Sequence, residues 1–279
     1  MMKDQQYQTA AFTLSEKKHS YGKNIHLLNA PFHEKLLSRF CTEKVVQPEA
    51  NTLVRSLTEF MLSQAVNLLF PRSKQVVKTR MSSMHKEAEF EAELLDESTK
   101  VIVVDLMRAG ILPSLVCYEG LHEFLPYKNL RQDHILLNRK TNEKEEVVGI
   151  NLSGHKVGGP VDGAFVLLAD PMGATGSTIC NIISFYNDHL TKINPSYKGK
   201  PLKYIALHFI VTPEYLSKVK TYSDQLEVFA LRLDRGLSSA EILKAPLGEK
   251  WSEEKGLNEK QYIVPGAGGI GEILNNSFV

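Results

Sequence analysis

The residues with the clearest chemical content lie in Val166-Leu-Leu-Ala-Asp170-Pro-Met-Gly-Ala-Thr175-Gly-Ser-Thr178, where an apolar run ends in an acid, passes a small, hydroxyl-rich turn and opens into Ile179-Cys-Asn-Ile-Ile183. This order predicts a buried parallel strand, a tight loop and a helix start. Gly173 and Gly176 let the backbone fold closely around a ligand that a side chain would block. The amides of the first helical turn point outward at the positive end of the helix dipole. Thr175, Ser177 and Thr178 add hydroxyl donors beside them, and such a cup suits a phosphate monoester. Asp170 would repel a phosphate in contact with it, so it should face another part of the ligand, and two neighbouring ribose hydroxyls are its natural partners. The expected ligand is therefore a sugar 5-phosphate. The Gly-x4-Gly-Lys spacing of a Walker loop and the Gly-x-Gly-x-x-Gly of a dinucleotide fingerprint are both missing. The plain alternative is an ordinary strand-to-helix turn.

Length and composition set the frame for these residues. A chain of 279 residues allows one large domain or two small ones, and 43% apolar content is enough for a sizeable core. A net charge of +1 argues against wholesale nucleic-acid binding. Cys41, Cys117 and Cys180 are odd in number and far apart, which suits neither a disulfide framework nor a zinc knuckle. The first residues lack the apolar core of a secretory signal, and no apolar run approaches the ~20 residues needed to cross a bilayer. We expect a cytoplasmic protein with no membrane or nucleic-acid partner.

The elements that must position the loop follow from periodicity. Residues 1–28 are polar and mixed and are expected to form an arm, leaving 29–279 as a single domain. Helical spacing predicts helices from Pro31 to Cys41 and after Pro48, the latter with a stripe of Leu53, Leu57, Phe60, Met61, Ala65, Leu68 and Leu69. Gln75–Met81 and Glu89–Leu95 alternate as strands. Val101–Val104 reads as a buried strand that runs through Asp105-Leu-Met-Arg108-Ala-Gly110 into a helix from about Leu112 to Phe124. Strand, turn and helix then repeat at 164–188, the βα repetition of a parallel sheet. Ile135–Leu137 is a short strand before the polar run Asn138–Glu146, which is either a solvated hairpin or a lid over the site. Further strands are expected near Tyr204–Val211 and Glu227–Leu233, with a helix around Pro213–Lys220. Asp234–Tyr262 reads as a surface insertion (238–255 at its centre) with a helix at Ser239–Leu243. The glycines of Tyr262-Ile-Val-Pro265-Gly-Ala-Gly-Gly-Ile-Gly271 suggest a binding loop rather than a loose terminus.

The string around Asp170 resembles the phosphoribosyl diphosphate (PRPP) motif of the type I phosphoribosyltransferases, and Asp-Pro-Met-x-Ala-Thr-Gly is similar to the uracil phosphoribosyltransferase branch. Met107-Arg108-Ala109-Gly110 resembles that family's diphosphate-binding turn. Asn138-Arg139 stands where its flexible loop opens with Tyr-Arg. Tyr262-Ile263-Val-Pro-Gly266-Ala-Gly268 is similar to its uracil-reading loop, and the family's Asp-x-Gly-Leu-Asn-Glu approach is split between Asp234-Arg-Gly-Leu237 and Gly256-Leu-Asn-Glu259. The resemblance runs from about Pro31 to Leu274.

It implies an α/β fold with a mainly parallel central sheet flanked by helices, a β-hairpin lid and a C-terminal hood loop over the base. It implies conversion of uracil and PRPP to UMP and diphosphate, in pyrimidine salvage. Arg108, Asp170 and Arg139 would carry the reaction. PRPP would be bound by Arg108, Ala109, Gly110, Arg139, Asp170, Pro171, Met172, Gly173, Ala174, Thr175, Gly176, Ser177, Thr178 and Gly269, and the base by Ile263, Gly268, Gly269 and Ile270. Magnesium is expected as a cofactor, held by the diphosphate, ribose and water rather than by a protein cage, and a homodimer or higher homo-oligomer is expected. This chain departs from the family in four places, one of them the lid, which shares its arginine but little else. Gly269 replaces an aspartate that contacts PRPP, with Glu272 standing where a second acid would be. Asp105-Leu-Met replaces Pro-Ile-Leu before the arginine, and Leu112 replaces a glycine. These departures keep open a different base or a non-catalytic nucleotide sensor.

Overall fold

Four runs that are apolar at almost every position become neighbouring parallel strands, because a strand covered on both faces has no use for alternation. In a computed structural model of the chain, which describes residues 4–7, 11–141 and 147–277 with the side chains of 137–153 outside the description, these runs form the centre of the main sheet. In chain order the elements are β1 (Ile25–Leu27), α1 (Pro31–Phe40), α2 (Glu49–Leu69), β2 (Arg72–Lys78), β3 (Glu89–Leu95), β4 (Lys100–Leu106), α3 (Ile111–Leu121), β5 (Leu130–Thr141), β6 (Val147–Lys156), β7 (Ala164–Ala169) and β8 (Met172–Gly173). Then come α4 (Ser177–Ser184), which continues through a wider turn at Phe185–His189 into α5 (Leu190–Ile193), β9 (Lys203–Val211), α6 (Pro213–Val219), β10 (Leu226–Leu233), α7 (Ala240–Lys244) and α8 (Ile270–Asn275).

The sheet order is β1-β10-β9-β7-β4-β5-β6, with β8 also paired to β9. All pairings in it are parallel except β5 with β6. After β4 the chain steps to β5 on one side, and it later returns as β7 on the other. The helices divide accordingly. Cys117 and Leu121 of α3 pack with α1 and α2 against one face, and Ile179, Ile182 and Ile183 of α4 pack against the other. Parallel sheets of this kind bind ligands outside the carboxyl ends of their strands, at the point where the order reverses. Here that point is the crevice between β4 and β7. β2 and β3 form a separate antiparallel ribbon.

Two expectations need correcting. Residues 1–28 are not an arm over their second half. Leu14, Tyr21, Ile25, Leu27 and Leu28 are buried, and β1 extends the sheet along β10 in register Ile25↔Val228. His26 is held there between Glu16 (2.8 Å) and Glu227 (3.3 Å). Secondly, β5 runs from Leu130 rather than Ile135, because its polar residues are paired. Arg131 donates to both oxygens of fully buried Asp133 and to the carbonyls of Gly159 and Pro160. Asp133 also accepts from Tyr186 Oη (2.8 Å) and Gly158 N (2.9 Å), so both roots of the β5–β6 hairpin are pinned. The 238–255 insertion carries its expected helix, α7, and is tied down. Ser239 caps α7, and buried Glu254 accepts from Tyr21 Oη, the Gly248 amide and Arg235.

Candidate functional site at the β4–β7 crevice

The first wall of the crevice is the turn after β4. Met107–Arg108 is a cis peptide bond, and Gly110 N donates back to Leu106 O at 2.9 Å before α3 begins. A Cβ placed on Gly110 would lie 2.7 Å from Leu106 O and 2.8 Å from Ala169 O. The Arg108 turn and the end of β7 therefore touch backbone to backbone. Arg108 is about half exposed and donates to Ser277 Oγ (3.1 Å) and Glu272 Oε1 (3.4 Å).

The second wall is the loop from Asp170. Asp170 N donates to Leu207 O (3.1 Å), and its Oδ1 accepts from Met172 N (3.2 Å). Pro171 is buried, and its carbonyl accepts from Phe209 N and Ile210 N, so it serves the sheet rather than a ligand. Met172 and Gly173 form β8 beside Ile210 and Val211. Thr212 Oγ1 donates to Ala174 O (2.6 Å) while capping α6 through Tyr215 N. Gly176, at φ 76°, turns the chain into α4, where Cys180 N to Gly176 O is the first intrahelical bond. The Thr178 and Ile179 amides precede that bond, and the Thr175 and Ser177 hydroxyls flank them. Arranged in this way, amides and hydroxyls can enclose a phosphate.

Beneath this loop lies a pair that sequence reasoning missed. His208 Nδ1 is 2.6 Å from Asp170 O, and its Nε2 is 2.7 Å from Tyr215 Oη. A carbonyl only accepts, so Nδ1 carries the proton and the tyrosine donates to Nε2. Burial lowers the His208 pKa to about 4, against a smaller upward pull from the Asp170 carbonyl. Burial likewise raises Tyr215 well above the ordinary tyrosine range, with a contribution from Asp170. The neutral pair fixes the backbone of Asp170 through its carbonyl.

The third wall is the glycine-rich tail. Arg232 forks onto Asp234 at 2.7 and 2.9 Å, and the two clamp Gly266 from both sides. Arg232 donates to its carbonyl, and Asp234 accepts from its amide (2.8 Å). Glu214 accepts the Gly256 and Leu257 amides that lead into this segment. Ile263 is half-buried against the core, and Gly268, at φ 73°, has open space where a Cβ would be. Ile270 offers the crevice no side chain. Its side chain is buried in the α2 core, and its amide is bonded to Gly268 O. A Cβ on Gly269 would fall 2.5 Å from Glu272 Oε2, so the Glu272 carboxylate fills the volume of the side chain Gly269 lacks.

Arg108, Ala109, Gly110 and the 169–178 loop thus converge with Gly269 and Glu272. Arg139 belongs to β5 by its backbone, and its side chain lies outside the described residues. Among the described residues no three His, Cys, Asp or Glu side chains form a cage for a metal ion. Asp170 and Glu272 are the carboxylates at the crevice. A magnesium ion that keeps its waters and takes phosphate and hydroxyl oxygens fits such surroundings. No helix among the described residues is long and apolar enough to cross a membrane.

Comparison with known proteins bears on the family and the fold. The family model "Uracil phosphoribosyltransferase" matches residues 27–250, which stops short of the glycine-rich tail. A uracil phosphoribosyltransferase of Campylobacter jejuni subsp. jejuni serotype O:2 is 24% identical over 256 residues, covering 92% of this chain and 100% of that one. One from Thermococcus gammatolerans is 26% identical over 179 residues, and the match spans 64% of this chain and 63% of that relative's length. The AQ2163 protein from Aquifex aeolicus has a TM-score of 0.62 at 22% identity, over 90% of this chain and 97% of that one. At that identity the likeness shows the fold alone.

Proposed function

We propose, from the premise that this chain belongs to the uracil phosphoribosyltransferase family, that it transfers a phosphoribosyl group from PRPP to uracil, giving UMP and diphosphate. The observation that carries this reading is the backbone contact of the Arg108 turn with the end of β7 through Gly110, beside the Asp170 loop. One ligand can then be held at both ends. The 5-phosphate sits on the amides and hydroxyls of 173–178, the ribose hydroxyls face Asp170, and the diphosphate lies against Arg108 and the Ala109–Gly110 backbone, with Arg139 closing from the lid. The hood presents Ile263, Gly268 and Gly269 backbone groups to the base. As the bond from ribose C1 to diphosphate breaks, its electron pair leaves with the diphosphate. Uracil nitrogen bonds to C1 and loses its proton to water. Positive donors pre-aimed at the departing oxygens stabilise charge where it develops, and Arg108 supplies a planar fork for them. Magnesium, when bound, adds neutralising charge on the diphosphate. Assembly as a homodimer or higher oligomer belongs to the same reading.

The test is diphosphate release with uracil, cytosine, adenine, hypoxanthine and orotate, each with PRPP and magnesium. UMP formation with uracil alone is the expected result. Turnover with another base, or none with any, would replace this reading with an altered transferase or a nucleotide sensor.

Gly269 is the observation that favours those alternatives, and the position of Glu272 answers it. An aspartate at 269 would have to push the Glu272 carboxylate off Arg108 and hold a second negative charge beside it. Like charges at this range oppose each other. Gly269→Asp should therefore lower kcat/KM by roughly 10-fold, about 1.4 kcal/mol, and Glu272→Ala added to it should restore most of the loss. A gain of activity in the single variant would show that Glu272 does not stand in for the missing acid.

A further inference from the structure

A buried carboxylate lies three residues before Arg108 and has no part in the reaction as described. Asp105 is 9% exposed, and its Oδ2 accepts from His134 Nδ1 at 2.9 Å, across the β4–β5 register pair Asp105↔His134. Among the described residues its other oxygen has only the long approach of Ser114 Oγ, at 3.5 Å from the first turn of α3. Burying a carboxylate is costly unless a donor or cation answers it, and His134 is that answer.

Committing Nδ1 to Asp105 fixes the imidazole's orientation and leaves Nε2 as its working atom. The His134 side chain is 53% exposed, and Nε2 has no partner among the described residues. The pair occupies the last-but-one rung of the β4–β5 ladder, and Leu106↔Ile135 is the last. One rung is about 3.3 Å of strand. Beyond it β4 enters the Arg108 turn, while β5 runs on towards Arg139. The ring lies on the α3 side of the sheet. The tail carrying Glu272 packs on that side too, since Ile270, Ile273 and Leu274 share a core with Cys117 and Leu121 of α3.

We propose that His134 is a further ligand of the departing diphosphate, and that Asp105 is the positioning residue that aims it. This rests on the phosphoribosyl transfer proposed above. Bound diphosphate takes a hydrogen bond from His134 Nε2, which adds to Arg108 a donor on the strand that leads to the lid. No proton is transferred, and the electron pair of the breaking C1–O bond still leaves with the diphosphate.

The test is calorimetric titration of magnesium diphosphate into the full chain and into His134→Gln and Asp105→Asn, with KM for PRPP and for uracil measured alongside. His134→Gln should weaken diphosphate binding by roughly 10-fold and raise KM for PRPP, with KM for uracil unchanged. Asp105→Asn should show the same pattern less strongly. Diphosphate binding in His134→Gln within twofold of the wild type would overturn the proposal, as would an equal rise in KM for uracil. His134 is half exposed, so its variant decides the matter even if Asp105→Asn misfolds. Wild-type protein that makes no UMP sinks the proposed function, whereas the titration judges His134 separately.

Discussion

Gly110→Ala should lower kcat/KM for UMP formation by roughly 100-fold or more, the loss expected when reacting groups are displaced by about 1 Å. The reason is space and not backbone freedom. Gly110 has φ −80° and ψ −9°, which any residue adopts. The added methyl would meet the carbonyl oxygens of Leu106 and Ala169 on opposite sides, both backbone and both closer than 3 Å. Neither can swing away as a side-chain tip could, so the Arg108 turn must move off the end of β7. That separation opens the distance between the diphosphate donors and the 5-phosphate loop, which one ligand has to span. The forced contact should also cost about 1–3 kcal/mol of stability. Gly271→Ala is the control within the same site, because nothing lies within 4 Å of a Cβ there and the residue is helical. It should keep wild-type kinetics. Steady-state kinetics and urea unfolding of both variants check this, and near-normal turnover in Gly110→Ala would show that the two walls need not touch.

The legible parts of this protein are those whose signal is local. Ala164–Ala169, Asp170 and the turn into Ser177 could be read because an all-apolar strand, a glycine-bearing loop and a helix start follow one another without interruption. The same holds for Val101–Gly110. What stayed hidden are polar side chains whose partners lie far along the chain. Arg131 and Asp133 look like loop residues until Tyr186 and Gly158 meet them, and this shortened β5 in the sequence reading. Asp105 stood out only as a departure from a motif, with nothing nearby to announce His134. The clamp of Arg232 and Asp234 on Gly266 joins residues 32 apart, so the reason the hood holds its shape is tertiary. Ile270 came as a base contact from the resemblance alone, and its side chain packs inward, as an isoleucine beside an apolar helix face does first. His208 had a usable signal. It is a lone imidazole inside Tyr204–Val211, and a polar group in so apolar a strand must find a partner.

That imidazole also makes the protein's stability depend on pH in a defined window. With a folded pKa near 4 against an ordinary 6.5, His208 is depressed by folding, so the unfolded chain binds its proton first. The stabilisation from keeping it neutral is complete above pH 6.5. It is lost as pH falls towards 4, and below that the loss is constant. The window is worth about 3 kcal/mol, a factor of over 100 in the folding equilibrium. His26 works in the opposite sense. Burial opposes its charge, but hydrogen bonds to Glu227 and Glu16 outweigh burial and raise its pKa, so its contribution is present at low pH and fades as pH rises. Other groups titrate too, and the informative quantity is therefore the difference between wild type and His208→Gln. Urea unfolding at pH 7 and pH 4.5 should show the wild type losing roughly 2–3 kcal/mol more than the variant between the two conditions. Glutamine can still donate to the Asp170 carbonyl but has nothing to titrate. An equal loss in both proteins would mean that His208 is already charged in the fold, and Tyr215 could not then be donating to it.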